Sequence, residues 1–187
     1  MALKIGLDLD GVVYDWHSAA YRYCVEERGY KEDSTTFWTK DWWLLSDDEQ
    51  RYIASLQNLY INTIPSSCVK DAIIELSKLG EIYYVTARAP ELEHVTRKFL
   101  DFFDPPFKEN LFFEKDKTTF ARLHKLDYFL DDFTSHIKSL LDVTGAVLMA
   151  RAHNIGKRDG YIVVNSIKEF CDLVKEENCG TSPVNTR

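Results

Sequence analysis

Two aspartates stand two residues apart in DLDGVVYD, Asp8 to Asp15, where the apolar run Ile5, Leu7, Leu9 meets Gly11. Side chains two apart on a strand point the same way. A glycine directly after them lets the backbone turn, so Asp8 and Asp10 can serve different sides of one reacting centre, one as nucleophile and one moving protons. Two more acids, Asp131 and Asp132, end the run YFLDD, and Thr86 ends YYVT. Gathering several carboxylates in one place is costly unless a cation compensates, because like charges disfavour one another's ionisation and lose hydration. An oxygen-only ligand set suits Mg²⁺, which keeps waters and shares itself with a substrate phosphate.

The elements that must position these groups can be read from apolar runs and capping residues. ALKIGLD, EIYYVTA, LDYFLDD, GAVLMA and YIVVN read as five strands, nearly continuous in apolar character, as in a parallel sheet covered on both faces. Amphipathic stretches alternate with them: SSCVKDAIIELSKLG capped by Ser66 or Ser67, PELEHVTRKFLDFF opening on Pro90, TSHIKSLLDV capped by Thr134, and SIKEFCDLVKEE capped by Ser166. Alternation of this kind predicts βαβ units, hence a three-layer αβα sandwich whose ligands bind beyond the carboxyl ends of the strands. Asp8, Asp10, Thr86, Asp131 and Asp132 then converge on one rim. About fifty aromatic-rich residues without a strand signal follow the first strand, far beyond an ordinary βα loop. The expected organisation is an α/β core over residues 1–15 and 64–177, a small helical cap inserted over 16–63, and a flexible tail over 178–187.

Hydrophobic residues make up 45% of the 187 and charged ones 28%, ordinary for a globular chain long enough to bury a core. The formal net charge of −7 disfavours duplex nucleic acid or an anionic membrane as main partner, but not a small phosphorylated substrate. Four scattered cysteines suggest neither a zinc site nor a disulfide framework, and the five histidines show no metal-type spacing. With no run near the ~20 apolar residues of a membrane span, the expectation is a cytoplasmic protein.

DLDGVVYD, VTAR, DKT (Asp116 to Thr118) and FLDD, in that order, resemble the four motifs of the haloacid dehalogenase (HAD) superfamily of phosphotransferases. DGVVYDW, TFW (Thr36 to Trp38), INTIPSSCVKDAIIEL, DYFLDD and ARAHN (Ala150 to Asn154) further resemble its 5'(3')-deoxyribonucleotidase branch. The resemblance implies a HAD-like Rossmannoid fold and a Mg²⁺-dependent phosphomonoesterase that hydrolyses nucleoside monophosphates. It implies Asp8 as the nucleophile forming an aspartyl-phosphate, and Asp10 as proton donor and then base, its main-chain carbonyl helping to hold the metal. Thr86 would bind a phosphoryl oxygen, Lys117 would neutralise the Asp8 and phosphate charges, and Asp131 or Asp132 would complete the metal shell. Trp16, Phe37 and Trp38 match positions lining the base pocket, with Trp42 and Trp43 left to packing. Thr86, Ala87, Arg88 and Lys117 would line the phosphate. Related enzymes are commonly dimers, so a homodimer is expected by likeness.

Two departures stand out. The second motif reads Thr86-Ala87-Arg88 where the branch carries a small hydroxyl residue and a proline after the threonine. The following helix offers His94, Arg97 or Lys98 where the branch has a further phosphate-binding lysine. Competing readings are a HAD phosphatase for another small phosphoester, a catalytically silent binding module, and a nucleic-acid end phosphatase. The four motif residues are all present, against the second; the acidic balance opposes the third.

Overall fold

The structure is a computed structural model that describes residues 2–61, 65 and 67–178. The expected tail beyond Asn178, the Ser66 cap and the boundary between cap and core near residue 63 lie outside the described residues. Six strands form one parallel sheet: β1 (Leu3–Leu7), β2 (Gly80–Thr86), β3 (Leu111–Phe113), β4 (Tyr128–Asp131), β5 (Gly145–Met149) and β6 (Val163–Val164). Their spatial order is β3-β2-β1-β4-β5-β6. The chain fills one side of β1 and then returns to fill the other, so β1 and β4 flank the switch point at which such sheets open a crevice. Register places Leu7 beside Tyr84 on one side and beside Leu130 on the other.

Alternation along the strands builds two cores. Ile5, Leu7, Ile82, Tyr84, Leu130, Val147 and Met149 face one way, against α1 (Trp16–Arg28), α5 (Ser67–Ser77), α6 (Glu93–Phe103) and α9 (Ile167–Asn178). Tyr83, Val85, Phe129, Ala146 and Leu148 face the other way, against α7 (Lys117–His124) and α8 (Thr134–Leu140). This is the three-layer sandwich expected of a HAD-like Rossmannoid fold. Gly6 is needed where Phe129 crosses β1, since a Cβ there would come within 2.5 Å of the Phe129 ring.

Between β1 and α5 the chain forms α1, α2 (Ser34–Thr39), a 3-10 turn at Asp41–Leu44, α3 (Asp47–Ser55) and α4 (Gln57–Ile61). Asp15 caps α1 through Ser18 N–H, and a capping box of Ser46 and Glu49 opens α3. The aromatic residues here join the first core: Trp16, Phe37, Trp38, Trp42 and Tyr60 are all buried. Trp43 packs only partly: it is 42% exposed, its ring against Phe133 and its indole N–H donating to the Trp38 carbonyl at 3.0 Å.

Three expectations change. The short strand β3 carried no clear sequence signal. The last strand is two residues rather than five. Thr134 does not cap α8 but begins it, with no side-chain cap bond present, while the preceding Phe133 N–H is taken by Asp131 Oδ1 at 2.8 Å.

Candidate active site

The β1 ladder runs one residue past the strand: Asp8 N–H donates to the Leu130 carbonyl at 3.0 Å, so main-chain bonding seats Asp8 beside the end of β4, where Asp131 stands. Lys117 is the first residue of α7, behind the Asp116 N-cap, and its side chain reaches back under the sheet rim. Its ammonium donates to Asp8 Oδ1 at 2.6 Å and to Asp131 Oδ2 at 2.7 Å. Asp132 is buried alongside, and carboxylate oxygens of Asp8, Asp131 and Asp132 lie within 4.8 Å of one another. Gly11 makes that approach possible. It sits at φ +82°, and a Cβ on it would fall 1.8 Å from Asp132 Oδ2.

Arg88, the unassigned departure from the motif, is buried and grips Asp10 with two donors, Nε to Oδ2 at 2.8 Å and Nη2 to Oδ1 at 2.5 Å. Its Nη1 donates to Thr96 Oγ1 at 2.9 Å, and its guanidinium lies 4.4 Å from the Tyr60 ring centroid and 5.1 Å from that of Tyr14. Such a fork is specific to arginine. The Asp10 carboxylate is therefore turned to Arg88 and stands outside the carboxylate group that could hold an ion.

Four carboxylates face two cations here, Asp8, Asp10, Asp131 and Asp132 against Lys117 and Arg88, a formal excess of two negative charges. The titration pattern follows. Burial pushes the Asp8 carboxyl up to about 7; Lys117 opposes this, while Asp131 and Asp10 add to it. Burial, then Asp8 and Asp131, raise Asp132 well above the ordinary carboxylate range. Burial would raise Asp131 too, but Lys117 and His136 hold it below that range; His136 Nδ1 lies 3.1 Å from its Oδ2. Asp132 Oδ2 is buried with no hydrogen-bond donor. An orphaned buried carboxylate oxygen beside two others, two of the three held toward their protonated forms, is what a divalent oxygen-ligated cation would satisfy. The residues fit Mg²⁺.

A cavity of about 750 Å³ opens over the rim, lined by Asp8, Asp10, Thr86, Ala87, Arg88, Lys117, Asp131 and Asp132 below and by Arg51, Ser55, Gln57 and Tyr60 from α3 and α4 above. Trp16 also lines it. Phe37 and Trp38, both expected against the base, do not: each is buried in the aromatic core, Phe37 at 4.9 Å from Trp38 and Trp38 at 5.9 Å from Trp16 between ring centroids. Both pack against the helices of the inserted segment.

Tyr60, Thr96, His136 and His17 went unnoticed in the sequence because their significance is spatial. His153 and Asn154, matched only by likeness, acquire a physical role: His153 Nε2 and Asn154 Nδ2 each reach the Asp132 carbonyl at 2.9 Å and fix the turn after β4. Burial holds the imidazoles of His17 and His153 neutral.

No family model matches the chain. A Bacillus cereus protein named "Putative nucleotidase" is 25% identical over 189 residues, covering 94% of this chain and all of that one. A Halalkalibacterium halodurans protein of similar name is 29% identical over 136 residues, 69% of each chain. Among solved structures, a haloacid dehalogenase-like hydrolase from Streptococcus pneumoniae superposes with TM-score 0.63 at 14% identity, covering 92% of this chain and 98% of that one. A β-phosphoglucomutase from Clostridium difficile gives 0.52 at 15%, with 95% and 98% covered. With its central β1, its rim of acids and these neighbours, the chain has the fold of the haloacid dehalogenase-like hydrolases.

Proposed function

We propose that the protein is a Mg²⁺-dependent phosphomonoesterase acting on nucleoside monophosphates. The observation that carries this reading is the Lys117 ammonium held between Asp8 and Asp131 at the floor of a cavity large enough for a nucleotide. The two relatives named as nucleotidases support the substrate class.

Asp8 attacks phosphorus in line, forming an aspartyl-phosphate as the ester oxygen leaves; Asp10, once its carboxylate has turned from Arg88 and taken up a proton from solvent, gives that proton to the ester oxygen. Asp10 then takes a proton from water, which attacks the acyl-phosphate and releases inorganic phosphate, restoring Asp8. Thr86 Oγ1, which accepts the Arg88 N–H at 3.2 Å, keeps its hydroxyl proton for a phosphoryl oxygen. Lys117 neutralises charge on Asp8 and on the phosphoryl group. A bound Mg²⁺ would be held by Asp8, Asp131 and Asp132 and would offset the negative charge of the transferring group. Arg88 holds Asp10 in place until a phosphate dianion offers the guanidinium a second partner. Trp16 and Tyr60 supply apolar walls for a base, and stacking contributes about 1–3 kcal/mol per base.

A panel of phosphomonoesters, assayed with Mg²⁺ and with chelator, tests the reading. Nucleoside monophosphates are expected to give the highest kcat/KM, with turnover lost in chelator. Asp8→Asn is expected to lower kcat by at least about a thousandfold while circular dichroism is unchanged. A phosphosugar outrunning every nucleotide would favour the second reading, another small phosphoester; metal-independent turnover by Asp8→Asn would remove the mechanism.

A further inference from the structure

We propose that His17, Asp132 and His153 form a second cation site, for a borderline-soft transition ion of the Zn²⁺ type, sharing Asp132 with the carboxylate group. The three residues come from separate segments: the first turn of α1, the turn after β4, and the 3-10 turn at Ala152–Asn154. The two imidazoles stack, with centroids 4.6 Å apart and planes at 18°, so one ring turns about its χ2 for both in-plane lone pairs to meet a single ion. Their Nε2 atoms lie 3.7 Å and 3.6 Å from Asp132 Oδ2, and the three donor atoms fall within 4.8 Å of one another.

These spacings are too long for hydrogen bonds, and Asp132 Oδ2 has no donor. They match another geometry. A tetrahedral ion with bonds of about 2.1 Å holds adjacent ligands about 3.4 Å apart. Two imidazole nitrogens and one carboxylate oxygen suit Zn²⁺ or Co²⁺ better than Mg²⁺, which prefers the all-oxygen set next door. Each imidazole would bind in its Nδ1–H form. His153 gives up its bond to the Asp132 carbonyl, which Asn154 retains. Access exists: His17 lines both the cavity over the rim and a second cavity of about 560 Å³, lined also by Val12, Asp15, Trp38 and Arg151.

Because Asp132 belongs to both groups, an ion held by the histidines draws its carboxylate away from Asp8 and Asp131. A transition ion therefore opposes Mg²⁺. None of this depends on the substrate being a nucleotide.

Chelator-stripped protein titrated with Co²⁺ is expected to bind one equivalent with the intense visible absorption of a tetrahedral ion, displaced by Zn²⁺. His17→Gln is expected to weaken binding by about a hundredfold. His136→Gln, which removes the imidazole beside Asp131, is expected to leave it unchanged. The Mg²⁺-induced rise in Tm should disappear in Zn²⁺-loaded protein and return in Zn²⁺-treated His17→Gln. Should His17→Gln not fold, a Zn²⁺-soaked crystal of the unaltered protein answers instead: an anomalous peak about 2.1 Å from both imidazoles supports the site. A peak among Asp8, Asp131 and Asp132 alone, a weak octahedral spectrum indifferent to His17→Gln, loss with His136→Gln, a Mg²⁺ response unaltered by Zn²⁺, or no stoichiometric binding would each overturn it.

Discussion

Asp8 and Asp132 carry the unmet electrostatic demand of the rim, and that demand has a pH signature. The Asp8 carboxyl, raised to about 7, keeps its proton in the folded protein across a range where the unfolded chain has lost it. Its contribution therefore makes the metal-free protein less stable as pH climbs from about 4 to 7, and flat above. Asp131, lowered by Lys117 and His136, works with the opposite sign, its stabilisation being lost only as pH falls below the ordinary carboxylate range. A divalent cation must displace the Asp8 proton below pH 7, so Mg²⁺ affinity is expected to rise about tenfold or more between pH 5.5 and 7.5. Calorimetric titration at the two pH values checks this; equal affinities would remove Asp8 from the ligand set. Gly11 is the second residue on which the rim depends. Gly11→Ala forces a side chain into the left-handed region and into Asp132, an expected loss of about 1–3 kcal/mol read as a fall in the denaturation midpoint, with Mg²⁺ response lost in parallel.

At the scale of elements, α4 is fastened to the sheet by its neighbours' side chains. Tyr14 donates its hydroxyl to the Leu59 carbonyl, and Tyr60 lies over Arg88. Tyr14→Phe is expected to loosen residues 57–61 by about 1 kcal/mol, seen as faster amide exchange there with the β1 and β4 amides unaffected. Sequence was a good guide to these elements where the period was strong. The apolar runs around Ile5, Tyr84, Phe129 and Val147 read correctly as strands because both of their faces are covered. Three residues of β3, Leu111 to Phe113, were too few to establish a period, and β6 is as short as Val163 and Val164. The acids of the rim were legible because strand ends converge in any parallel sheet. The Arg88–Asp10 fork was not, since 78 residues separate its partners and only the fold brings them together. Phe37 and Trp38 are buried outside the cavity over the rim, a distinction the sequence does not carry, because an aromatic run reads alike whether it lines a ligand or packs a core.

For the whole molecule, the rim concentrates negative charge on a chain already at −7, so ion binding and folding are linked. Mg²⁺ at a hundred times its Kd is expected to add about 2.7 kcal/mol, which for a chain of this length raises Tm by about 5–10 °C. Scanning calorimetry with and without chelator measures it, and no shift would show that the carboxylates hold no ion. Among the described residues, no helix is long and apolar enough to cross a membrane. The two halves of the cavity are anchored differently. Asp8 and Asp131 hang from adjacent rungs of one backbone ladder, whereas Arg51, Ser55 and Gln57 belong to short helices strung between β1 and α5. Exchanging those roof residues changes the cavity's upper wall without touching the backbone ladder that seats Asp8 and Asp131. Differences among relatives in what the cavity admits are thus expected to concentrate in residues 47–61, while the strand tips that carry the acids stay as they are.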